Sequence, residues 1–175
     1  WPFSFFFLVF AAVAAFAPVL VVYYQGRGFS GVQIGLLTGV PPLITLVTVP
    51  LWTRMADRTH RERLIMGISL LLSAGGVLVM PALTSFMAVF VVTVLFFFFL
   101  GPSLSLANSA TMYMLGEERD QFGLVRVGGT IGFGVFTLIA GLLIDRLGLP
   151  STFRLGAVLF VATFLSSLGL VYDES

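Results

Sequence analysis

Arg126 is the residue whose type and setting point most directly to chemistry. It follows Phe122-Gly123-Leu124-Val125, and no charged residue comes after it until Asp145. An arginine within an apolar segment costs about 2.5–3.5 kcal/mol to place in a bilayer and is usually kept where it faces a cavity or a partner. Its planar fork of donors suits a pair of hydroxyls or a carboxylate, so the chemistry it offers is solute binding. Snorkelling to the nearby interface is the alternative. A second group lies at 50–63, PLWTRMADRTHRER, where Arg54, Arg58, Arg61 and Arg63 surround Asp57. Arginines alone suffice as a topology signal; the aspartate is not needed for that. Asp57, Arg58, Arg61 and Arg63 are therefore a candidate conformational gate, holding one state by pairing with protein outside this sequence. Asn108 sits in a polar set with Ser103, Ser105, Ser109, Thr111 and Tyr113. It is a candidate solute ligand and Phe133 a candidate stacking platform, with helix packing as the competing role for each.

These residues belong to a chain that has to be embedded in lipid. Of its 175 residues 58% are hydrophobic and 10% charged, with 19 Phe, and the mean hydropathy is +1.08. That composition lies in the polytopic membrane class. A net charge of +1, with arginines scattered at segment ends, leaves no footprint for a nucleic acid. Zero cysteines remove disulfides and thiolate sites. A single histidine, His60, leaves no metal site, and no cofactor is expected. No set of nucleophile, base and orienting group lies within the apolar segments, so an enzyme is not expected. The chain enters an apolar run directly at Trp1, with no basic leader or cleavage site. No signal peptide is read, and the start is expected to have been trimmed from something longer.

About 20 apolar residues carry a helix across a hydrocarbon core of roughly 30 Å. Six such spans are expected, at about 3–24, 32–52, 64–80, 86–114, 122–144 and 152–172. The segment from Pro50 to Arg63 is expected to be a short aqueous loop. Gly116 to Gln121 forms an acidic turn with Glu117, Glu118 and Asp120. Pro18 should bend the first span, and Gly101-Pro102 the fourth. Tyr23 and Tyr24 are placed at the interface. Gly35 and Gly39 have the spacing that lets helix backbones approach closely, and the glycines of span two and of span five, among them Gly128, Gly129 and Gly132, are expected to make the close helix contacts. With the 54–63 loop inside, the inner loops hold Arg54, Arg58, Arg61, Arg63 and Arg119, and the outer ones Arg27, Arg146 and Arg154. The positive-inside rule then puts both chain ends in the cytoplasm.

The chain also repeats itself at an offset of 88 residues: Gly35 matches Gly123, Leu36 matches Leu124, Asp57 matches Asp145 and Arg58 matches Arg146. Three helices reverse the direction of the chain, so the two copies, about 3–80 and 86–172, have opposite topology. The expected fold is all-α and polytopic, with six transmembrane helices arranged as two inverted three-helix repeats. Such repeats are the build of secondary transporters, whose sites lie near the midplane between repeats.

The 50–63 segment resembles motif A of the major facilitator superfamily, G-x-x-x-D-R-x-G-R-R. Asp57, Arg58, Arg61 and Arg63 supply its acid and arginines, while Thr53 and His60 stand where it has glycines. Pro50-Leu51-Trp52 and the run from Phe122 to Phe133, FGLVRVGGTIGF, look like the branch of lactose permeases, nucleoside:proton symporters and phenylpropionate-type permeases. Its typical run there is Y-G-R-x-R-x-W-G-S-x-G-F, so Leu124 replaces the first arginine and Arg126 matches the second. Lactose-type recognition also uses a span-four carboxylate, where this chain offers Asn108 or Ser109, and an aromatic at the position of Phe133.

The resemblance implies the N-terminal half of a twelve-helix transporter in the cell (inner) membrane. It implies proton-coupled uptake of a small organic solute, such as a sugar, nucleoside or aromatic acid, by alternating access. The titrating carboxylate is then expected in the other half. The alternatives are a half-size unit acting as a homodimer, and a membrane scaffold or receptor that moves nothing.

Overall fold

The computed structural model describes residues 1–172 as a bundle of helices joined by short turns. The first span is α1 (Pro2–Phe16), a 3-10 turn at Ala17–Val19 and α2 (Leu20–Gly26). The break falls at Pro18, whose missing N–H and fixed ring cannot continue an α-helix. The second span is α3 (Gly31–Thr59) and the third α4 (Glu62–Val79), extended by a 3-10 turn at Met80–Ala82. The fourth, fifth and sixth are α5 (Phe86–Leu115), α6 (Phe122–Leu147) and α7 (Pro150–Ser167). Among the described residues, the first five spans are long and apolar enough to cross a membrane. The sixth is the shortest, at 18 residues, and carries Arg154.

Local signals set the ends. The Ser30 side chain accepts a hydrogen bond from the Gln33 backbone N–H while Gln33 returns one to the Ser30 backbone, a capping box that opens α3. The Ser85 hydroxyl caps α5 through the Ala88 N–H. His60 closes α3 in the left-handed region at φ 49°.

Two expectations are corrected here. The 50–63 segment is not a loop: α3 continues through Thr59, and α4 begins at Glu62. A helix of 29 residues spans roughly 44 Å at about 1.5 Å per residue, well beyond a hydrocarbon core of about 30 Å. Its last two turns can therefore stand in water as helix, with Arg58 set against the negative end of the helix dipole. The sixth span ends at Ser167 rather than reaching Tyr172.

Packing follows the repeat. The first span lies against α6 and α7, the fourth lies against α3 and α4, and α4 packs on α7. Exchanging the first span with the fourth, the second with the fifth and the third with the sixth leaves this pairing unchanged. At the centre, Phe16 meets Phe96, Phe153 and Phe160 with ring centroids 5.6, 6.0 and 6.4 Å apart. Ala11, Ala12, Ala14 and Ala15 of α1 are fully buried, the small side chains that allow close helix approach where lipid supplies no hydrophobic drive.

The glycine contacts follow the expectation in span five and depart from it in span two. Gly35 and Gly39 face open space, because their side of α3 is turned away from the other five spans. Gly128, Gly129 and Gly132 of α6 take the close approach of α1, as expected: a Cβ at Gly128 would come within 2.8 Å of the Phe3 carbonyl oxygen, and one at Gly132 would run into the backbone of Phe7. Gly101 takes another, against Thr45 and Val49 of α3.

Tyr23 and Tyr24, at the end of the first span, are buried, and the turn after α4 covers Tyr23. The Tyr23 hydroxyl donates to the Met80 carbonyl at 2.6 Å, and Arg27 donates to the Pro81 carbonyl with its guanidinium 5.2 Å from the Tyr23 ring. These bonds tie the end of the first span to the turn between the third and fourth. Tyr23→Phe is expected to lower unfolding stability by about 1 kcal/mol, the cost of leaving one buried carbonyl short of its donor. A thermal-unfolding midpoint equal to that of the unsubstituted protein would show that the bond adds nothing.

Candidate functional site

Arg126 stands on the second turn of α6, and its side chain is exposed along the flank of the bundle. The neighbouring rings hold its position: the guanidinium carbon lies 5.9 Å from the centroid of Phe6 and 6.0 Å from that of Phe122. Cation–π contacts of this kind leave the N–H donors free for a ligand. Together with Phe10 of α1 and Thr130 and Phe133 of α6, Arg126 lines a cavity of about 670 Å³. Phe133 is 39% exposed and presents its ring there. The close approach of α1 to α6 at Gly128, Gly129 and Gly132 places Phe10 opposite the arginine. Among the described residues no carboxylate lines the cavity, and the one charged group there is positive.

The structure thus brings Arg126 and Phe133 together and leaves Asn108 out. Asn108 lies on α5 and is not among the residues that line this cavity; its side-chain oxygen is buried without a hydrogen-bond partner among the described residues. Of the polar set around it, Thr111 donates to the Ala107 carbonyl at 2.7 Å and Ser105 meets the Thr53 hydroxyl of α3 at 3.4 Å. The first bonds within α5 itself, and only the second joins two helices. Phe10 and Thr130 were not singled out from the sequence. A helical step of four residues from Arg126 reaches Thr130 and was the available signal; Phe10 belongs to another span and offered none.

The candidate gate occupies one end of the bundle. Arg58 ends α3, Arg61 caps α4 and Arg63 follows on its first turn, all three exposed. The backbone of Asp57 belongs to α3, and its side chain lies outside the described residues. His60, Arg61, Glu62 and Arg63 share a cavity of about 540 Å³ with Tyr172. The Tyr172 hydroxyl donates to the Met66 sulfur at 3.2 Å. Burial pushes its phenol well up from the ordinary range, against the pull of Arg63 and with a smaller push from Glu62, so it stays neutral at any physiological pH. Among the described residues there is no cluster of three metal-ligating side chains.

Residues 3–174 match the profile of the MFS_1 like family. The chain belongs to that family. It is 33% identical over 168 residues to the maltose permease of Geobacillus stearothermophilus, covering 94% of this chain and 40% of the relative. It is 30% identical over 175 residues to the multidrug resistance protein MdtG of Yersinia enterocolitica, covering 96% of this chain and 42% of that protein. The crystal structure of the nucleoside transporter NupG (D323A mutant) superposes with a TM-score of 0.89 at 22% identity, covering 98% of this chain and 44% of that one. This family member is therefore a multi-pass membrane protein with the six-helix half fold of the superfamily. The chain spans about two fifths of the length of the curated relatives it matches.

Proposed function

We propose that this chain is one half, the N-terminal one, of a secondary active transporter that moves a small organic solute across the cell (inner) membrane by alternating access. One observation carries the reading: the Arg126 cavity opens on the flank formed by α1 and α6, where the six helices leave an arginine and an aromatic ring uncovered. The remaining three fifths of a relative's length would supply a second six-helix half to close it. Arg126 then binds hydroxyls or a carboxylate of the solute, Phe133 stacks on its ring, and Asn108 is a weaker contact from α5. A sugar, a nucleoside or an aromatic acid each offers those groups. Coupling to protons fits a cavity with no acid of its own, with the titrating carboxylate in the other half. Asp57, Arg58, Arg61 and Arg63 serve as the gate on the cytoplasmic side, pairing with the second half in one of the two states. Both ends of the chain are then cytoplasmic.

The test is uptake into proteoliposomes by the intact protein, with maltose and uridine as labelled solutes and an imposed proton gradient. Uptake that rises with the gradient is the expected result. Saturable binding of either solute without any flux would favour a receptor of the same fold. A discrete dimer of the six-helix chain that transports on its own would replace the two-half reading with a homodimer.

A further inference from the structure

The internal repeat gives the Arg126 cavity a counterpart. At the 88-residue offset Arg126 corresponds to Thr38, Thr130 to Pro42 and Phe133 to Thr45. Thr38, Pro42 and Thr45 of α3 line a cavity of about 400 Å³ of their own, closed on one side by Phe97 of α5 and on another by Tyr24. In each case the wall is one face of a peripheral helix (α3 or α6) plus a phenylalanine from the inner span packed against it, Phe97 here and Phe10 there. The two helices start on opposite sides of the bilayer, α3 after one crossing and α6 after four. Thr38 therefore lies near the opposite side from Arg126.

The chemistry of the counterpart is different. Among the described residues it has no charged lining group. Its threonine hydroxyls are already committed: Thr38 donates to the Ile34 carbonyl at 2.9 Å and Thr45 to the Pro41 carbonyl at 2.7 Å. The Tyr24 ring is 1% exposed, and its hydroxyl is buried without a hydrogen bond of proper geometry. A pocket of this size with mostly apolar walls and few polar groups is the usual form of a small-molecule site.

We propose that this pocket between the first, second and fourth spans is a second solute station, taking a neutral aromatic or aliphatic ring with at most one polar substituent. It rests on the transport reading above, and supplies what the Arg126 cavity lacks, a site with no charge at the other end of the path. A solute with a polar and an apolar part would meet a matched surface on each side of the membrane.

The experiment places single cysteines in the intact protein, freed of any other cysteine and held in lipid nanodiscs. The positions are Thr38→Cys and Thr45→Cys in the pocket, Thr130→Cys beside Arg126, and Leu46→Cys on the exposed face of α3. Each is labelled with N-ethylmaleimide in the presence of 2-naphthol, which is neutral, or 2-naphthoate, which is an anion. With the probe at about four times its dissociation constant, 2-naphthol should slow labelling of Thr38→Cys and Thr45→Cys about fivefold and leave Leu46→Cys unchanged. Adding Thr45→Phe to Thr38→Cys fills the pocket and should abolish the protection. Equal slowing at Leu46→Cys, no slowing at either threonine position, or protection that survives Thr45→Phe would overturn the proposal. The anion reports on the other site: failure of 2-naphthoate to protect Thr130→Cys counts against solute binding at Arg126 and leaves the naphthol result to decide the second station.

Discussion

Arg126→Ala in the intact protein is expected to reduce uptake efficiency by about 10- to 150-fold, the equivalent of one hydrogen-bonded charge at about 1.5–3 kcal/mol. Three features of the site set that size. The guanidinium is held between Phe6 and Phe122, so little side-chain freedom is lost when a ligand binds. Among the described residues it is the one charged group lining the cavity, so none of them replaces it. The cavity is otherwise aromatic and aliphatic around Thr130, so its specificity for polar solutes depends on this side chain. Arg126→Lys keeps the charge and loses the planar fork, and should recover only part of the loss. Uptake that is unchanged in Arg126→Ala would mean that the arginine merely reaches for the interface, and the site would have to be sought elsewhere.

Gly132→Ala is expected to be the most damaging single methyl in the bundle, costing about 3 kcal/mol, at the upper end of ordinary overpacking. The added Cβ would run into the Phe7 carbonyl, and that backbone sits on a helix packed on its other side against α7. Relief requires moving α1 away from α6, which also loosens the contacts at Gly128 and Gly129 and shifts Phe10 away from the Arg126 cavity. Both stability and uptake should therefore fall. Gly141→Ala, on the same helix but facing open space, is the control: it should be neutral or stabilising by up to about 1 kcal/mol, the helix preference for alanine. Thermal unfolding of the two variants in detergent gives the comparison, and equal midpoints would show that α1 and α6 are not closely packed.

A proline at 18, the polar turn at 116–121 and apolar segments of membrane-crossing length are local properties, and they place six spans and their breaks from the sequence. The repeat of Gly35, Asp57 and Arg58 at Gly123, Asp145 and Arg146 is a property of the sequence too, and it carries the inverted pairing seen in the packing. So is the cost of Arg126 in an apolar helix, which marked it before any geometry was known. What the sequence did not decide is which face of each helix meets which neighbour. In water a polar face and an apolar face distinguish outside from inside; in lipid both are apolar, and that signal is lost. Only the assembled bundle shows that, of the two sets of glycines, Gly132 makes a close contact and Gly39 does not, that Phe10 from a distant span completes the wall beside Arg126, and that Asn108 does not line it. The charged segment at 50–63 shows the same limit from the other side: its composition requires water, but helix and loop satisfy that equally, and the length of α3 together with the turn at His60 settled it as helix.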